Sequence, residues 1–142
     1  MTAEFSEDGV SFSVPEGWSL QREETEQGWT VTLQSPGTAF ALFSMDRSMP
    51  ETSEVAQTAL DALRGDYPAL EAQPAIDMLA GEMAMGHDIE FFSMDMASTC
   101  WTRSLYAGAG TLLVLCQCCD ADTEDYESVL RGVCASLRVE ED

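Results

Sequence analysis

The amino-acid sequence predicts an α+β fold: a three-layer sandwich with a mostly antiparallel sheet and two helices. Three observations carry this. Short alternating segments joined by tight turns dominate the chain, so neighbouring strands pair as hairpins. Two segments, 38–45 and 111–119, are apolar on both faces, which places them inside one sheet covered on both sides. Two amphipathic helical stretches, one in each half, are the large covers available to that sheet.

In chain order, Val10, Phe12 and Val14 alternate with Ser11 and Ser13, the period of a half-buried strand. Pro15, Glu16 and Gly17 then turn the chain, and alternation restarts at Trp18 and Leu20. The polar run 23–28 reads as a hairpin loop, after which Trp29, Val31 and Leu33 alternate with Thr30, Thr32 and Gln34. Ser35, Pro36 and Gly37 lead into the first doubly apolar strand. The first helix carries the stripe Val55, Ala56, Ala59, Leu60 and Leu63. Pro50 and Glu51 suit its first turn, and Ser48 or Thr52 its cap. Gly65 suits a left-handed end, and Pro68 prevents resumption. Residues 82–91 alternate again. Met83, Met85, His87, Ile89 and Phe91 share the apolar face, and Glu82, Ala84, Gly86, Asp88 and Glu90 the other. A strand over 98–106 and a Gly-rich turn at 107–110 precede the second doubly apolar strand. The last helix, 122–137, has the stripe Tyr126, Val129, Leu130, Val133 and Leu137, with Asp122 and Thr123 at its capped end. Neither repeats nor linkers interrupt the pattern, so residues 1–142 read as one domain.

Charge excludes several function classes. The 142 residues hold 26 Asp and Glu against 6 basic residues, a formal net charge of -20. All the basic residues are Arg, so a Walker A lysine, a kinase phosphate lysine and a Schiff-base lysine are absent. Nucleic-acid binding through phosphate neutralisation is excluded at this charge. Asn is also missing and Ile occurs only at 76 and 89, so a GC-rich genome accounts for the lack of Lys but not for the acidic excess. Two uses of that excess stay open: a solvated surface, or a field that attracts a basic partner. No apolar run reaches the roughly 18 residues of a membrane span. The chain opens without a basic and apolar leader, and five Cys, three of them crowded into 116–119, make no secreted disulfide framework. The expectation is a cytoplasmic protein without membrane contact.

Candidate chemistry is sparse. Cys116 and Cys118 lie two apart on a strand and share a face, while Cys119 points to the other. With Cys100 or His87 from neighbouring strands they could complete a tetrahedral zinc site; as small buried hydrophobes they would simply fill the core. His87 is the one histidine, and neither a Gly-x-Ser-x-Gly elbow nor a His-Glu-x-x-His helix accompanies it. Arg103, mid-strand, suits a structural ion pair or an anionic ligand. Phe92, Met94 and Met96 form an apolar segment of the adaptable kind that recurs at protein-binding surfaces. No cofactor motif is present.

The opening Gly9-Val10-Ser11-Phe12-Ser13-Val14-Pro15-Glu16-Gly17-Trp18 and the closing helix from Tyr126 to Leu137, ending Ala135-Ser136-Leu137-Arg138, resemble the Mog/PsbP-like family, which includes DcrB-type domains. The resemblance implies the sandwich fold and, since most roles known in that family are binding roles, an absence of catalysis. It implies no functional residue. The resulting expectation is a non-enzymatic protein-interaction module, adaptor or chaperone-like, whose partner is another protein. The alternative is a small metal-binding or thiol protein using Cys116, Cys118, Cys100 and His87.

Overall fold

The computed structural model describes residues 3–93, 95–120 and 123–140. In chain order the elements are β1 (Ala3–Glu7), β2 (Val10–Val14), β3 (Ser19–Glu24), β4 (Gly28–Gln34), β5 (Phe40–Asp46), α1 (Thr52–Asp66), β6 (Glu71–Leu79), β7 (Glu82–Ser93), β8 (Met96–Ala107), β9 (Gly110–Cys119), α2 (Thr123–Ser136) and β10 (Arg138–Val139). The strands build a seven-stranded sheet of order β3-β4-β5-β9-β8-β7-β6 and a three-stranded sheet of order β1-β2-β10. The pairings are antiparallel.

The architecture is the expected α+β sandwich, with α1 over one face of the large sheet and α2 over the other. The covers differ from expectation, because α2 shares its face with the small sheet. In β2, Val10, Phe12 and Val14 are buried, and Phe12 stacks on Phe43 of β5 with ring centroids 3.9 Å apart. Gly17, at φ 84°, turns the chain out of β2 and into the other sheet. The main core lies between the two sheets and α2, around Trp29, Val31, Leu33, Phe43, Leu112, Val114, Leu130 and Leu137. A smaller core under α1 joins Leu60, Leu70, Ile89, Phe91 and Cys100.

Both doubly apolar strands are interior: β5 and β9 are third and fourth of seven. Ala41, Phe43 and Met45 are buried on the α2 face, whereas Phe40, Leu42 and Ser44 are half-buried, since α1 lies mainly over β7 and β8. In β7 the apolar face outruns its cover. Ile89 and Phe91 are buried under α1, but Met83, expected with them, is 67% exposed. On the opposite face a Cβ at Gly86 would collide with the Thr102 carbonyl of β8, so that position accepts glycine alone.

An edge strand escapes the sequence pattern, and two helix-end expectations are corrected. Strand β6 carries no alternating signal because it is the outer edge and mostly exposed, which is also why Pro74 is tolerated in it. α1 begins after Glu51 with no side-chain cap, and Ser48 instead bonds Asp46 through its N–H (2.9 Å) and hydroxyl (2.6 Å). Gly65 sits inside the helix, which closes at Tyr67 through a 2.7 Å bond from its N–H to the Leu63 carbonyl. Asp122, expected to cap α2, lies outside the described residues.

Candidate functional site

Pleat parity decides the fate of the proposed metal ligands. Cys100 of β8 lies opposite Gln117 of β9, so the two share the α1 face. Cys116 and Cys118 flank Gln117 and therefore point to the α2 face. His87 lies opposite Thr102 and joins Cys100 on the α1 face. The four residues are split two and two across the sheet. Among the described residues no group of three or more His, Cys, Asp and Glu could hold a metal ion. Cys116 and Cys118 are buried in the main core, as their strand predicts. Burial also pushes the Cys100 thiol up to about 12.

The polar surroundings of the other candidates are structural. His87 is half-buried, and its Nδ1 is buried without a hydrogen-bond partner. Burial first, then the charges of Arg64 and Arg103, holds its pKa below the ordinary 6.5. Arg103 donates from Nε to Asp77 (3.1 Å), from Nη2 to Asp88 (3.0 Å) and from Nη1 to the Thr102 carbonyl (2.8 Å). Two carboxylates offset its charge, so it forms the structural pair and leaves no net positive charge for an anion.

A sulfur pair that sequence reasoning missed sits on the α2 face. Cys134, on α2, brings its Sγ to 3.7 Å from the Cys116 Sγ. Cys134 is the one cysteine of five that is not fully buried. It lines a cavity of about 490 Å³ together with Asp77, Asp88, Trp101, Arg103 and Arg131. The Arg131 guanidinium stands 5.7 Å from the Trp101 ring centroid and also pairs with Glu127 at 3.0 Å. The Cys134 thiol is held below its ordinary range, chiefly by the hydrogen bond from Cys116, with Trp101, Arg131 and Arg103 adding to it. Cys116 is pushed up by the same contact with Cys134 and by its full burial. One signal could have found the pair: Cys134 falls four residues after Leu130, within the helix stripe, and Cys116 faces the same layer.

Exposed apolar side chains gather on the wing β6-β7-β8. Ile76, Met78 and Met83 share the α1 face at the free end of the β6–β7 hairpin, 65%, 67% and 67% exposed. At the other end of β7, Phe92 is 77% exposed, with Met96 45% exposed across the β7–β8 turn. Phe92 and Met96 belong to opposite faces by register, and Met96 Sδ lies 3.9 Å from Cys119 Sγ. Met94 lies outside the described residues.

No protein-family model matches the sequence, and no curated protein matches it. Solved structures do match. The chain is similar to cyanobacterial PsbP (CyanoP) from Synechocystis sp. PCC 6803, with a TM-score of 0.63 at 12% identity over 97% of this chain and 92% of that one. It is similar to LpqN, involved in cell envelope biogenesis of Mycobacterium tuberculosis, at 0.62 and 13% over 98% and 91%. It is also similar to PA94 of Pseudomonas aeruginosa, a protein of unknown function and putative regulator, at 0.57 and 9% over 99% of each chain. At such identities the likeness shows the fold, which is PsbP-like as the opening and closing motifs imply. The cytoplasmic expectation is corrected by the same finding, since the fold neighbours include LpqN, a protein of cell envelope biogenesis. The cysteine argument behind it fails for a physical reason: four of the five thiols are buried, so their number does not report the compartment.

Proposed function

We propose that this chain is a non-enzymatic protein-interaction module that docks its partner on the β6-β7-β8 wing. One observation carries the reading: Ile76, Met78 and Met83 are large apolar side chains left well over half exposed on one face of adjacent strands. Burying each fully would contribute about 1.5–3 kcal/mol, so a complementary surface gains substantially by covering them. Methionine adapts its shape to a partner without a preformed pocket. Glu71, Asp77, Asp88 and Glu90 lie on the opposite face of these strands, and the chain's net charge of -20 favours a partner with an apolar centre and a basic rim. Phe92 and Met96, exposed at the other end of β7 on opposite faces, offer separate further contacts. The fold neighbours, among them PsbP and a protein of envelope biogenesis, support a binding role outside the cytoplasm.

The test is affinity capture from extract of the native organism with the wild-type chain and with Met78→Glu/Met83→Glu. Both positions are exposed, so the variant should fold. The expected result is a protein captured by the wild type, lost with the variant, and weakened as salt is raised. A captured protein that the variant retains in full would sink the docking surface.

A further inference from the structure

The geometry points to an oxidisable dithiol on the α2 face: Cys134 at the cavity wall is the sulfur that attacks the oxidant, Cys116 behind it is the resolving sulfur, and a small peroxide admitted to the cavity is the oxidant. Four observations meet there. The two sulfurs are 3.7 Å apart. A cavity of about 490 Å³ leads to one of them and not to the other, which is 0% exposed. Two guanidinium groups, Arg103 and Arg131, share that cavity, each held by carboxylates of Asp77, Asp88 or Glu127. The remaining thiols are buried, and Cys100, although its residue also lines the cavity, belongs to the α1 face by register and is 0% exposed, so selectivity follows from access. The lowered pKa of Cys134 agrees with its role as the nucleophile.

The chemistry balances. Cys134 thiolate attacks one peroxide oxygen; the S–O bond forms, the O–O bond breaks, and the departing hydroxide leaves as water. Cys116 sulfur then attacks the Cys134 sulfenic acid; the S–S bond forms, the S–O bond breaks, and a second water carries away the Cys116 proton. Two thiols lose two electrons and the peroxide accepts them. The sulfurs must close from 3.7 Å to about 2.05 Å, within reach of side-chain rotation and a small shift of α2. The product ties α2 covalently to β9, the centre of the large sheet. This inference is independent of the docking surface above.

The experiment treats the reduced protein with hydrogen peroxide, counts thiols after denaturation and maps the linked peptides. The expected count falls from five to three, with Cys116 joined to Cys134. Cys134→Ala should slow thiol loss by at least about tenfold, because the other sulfurs are buried. Alanine suits the half-buried helical position, so this variant should fold. In Cys116→Ala the sulfenic acid on Cys134 should persist and be trapped by a cyclic dione, while Cys118→Ala should behave as the wild type. Five thiols surviving peroxide that oxidises free cysteine, a disulfide mapped to any other pair, or an undiminished rate in Cys134→Ala would each overturn the proposal.

Discussion

At the scale of single residues, His87 shows how burial converts into a pH response. Its Nδ1 is enclosed without a partner, and Arg64 and Arg103 oppose a second positive charge. The folded pKa is therefore depressed below the unfolded value of 6.5. The unfolded state takes up the proton first as pH falls, so the stability held above pH 6.5 is lost as pH drops through the folded pKa. Replacing His87 by Gln removes that dependence. Urea denaturation at pH 7.5 and pH 5 should show the wild type losing more stability over this interval than His87→Gln does. Equal losses would mean that the imidazole finds solvent or a partner. The residue's place on the apolar face of β7 was legible in the sequence. Its unpartnered nitrogen was not, because that depends on what α1 and β8 leave beside it.

At the scale of elements, cover decides stability more than composition does. β5 and β9 are flanked by strands on both sides and face the main core, whereas β3 is fully exposed and β6 is an outer edge. Amide hydrogens in β5 and β9 should exchange slowest and those in β3 and β6 fastest, because local opening costs least where few apolar contacts are lost. Hydrogen exchange resolved by peptide would refute this ordering if β6 were protected as well as β9. Alternation made β2, β4 and β7 readable, since one face of each is buried, and apolar residues on both faces marked β5 and β9 as interior. β6 stayed hidden because an edge strand with both faces mostly in solvent has no reason to alternate. The sulfur pair was half visible for a related reason. Cys116 could be assigned a face from its strand, but its partner lies on a helix whose docking against β9 no local pattern states.

At the scale of the whole molecule, charge is the dominant unpaired quantity. Four arginines hold Glu7, Asp8, Glu24, Asp77, Asp88 and Glu127 in ion pairs. The chain nonetheless has 26 acids for 6 basic residues. Self-repulsion at net charge -20 destabilises the compact state, and salt relieves it. The Debye length falls from about 30 Å at 0.01 M to about 10 Å at 0.1 M, so most of the relief comes early. The melting temperature should rise more over that first interval of NaCl than over the next equal increment. A flat melting temperature across it would show that the acids are spaced widely enough for repulsion to be negligible. That result would also remove the electrostatic argument for a basic rim on the partner.

Periodicity alone determined the α+β class, the interior placement of β5 and β9, and the stripes of both helices, because burying one face of an element imposes its own repeat on the sequence. Composition alone excluded lysine chemistry and argued against nucleic-acid binding through phosphate neutralisation. Tertiary structure decided which faces meet. It moved β1 and β2 into a second sheet, left Met83 beyond the reach of α1, and divided Cys100 and His87 from Cys116 and Cys118. It also brought Cys134 against Cys116. Each outcome turns on strand register and helix docking, where neighbours are set by contacts between residues far apart in the chain.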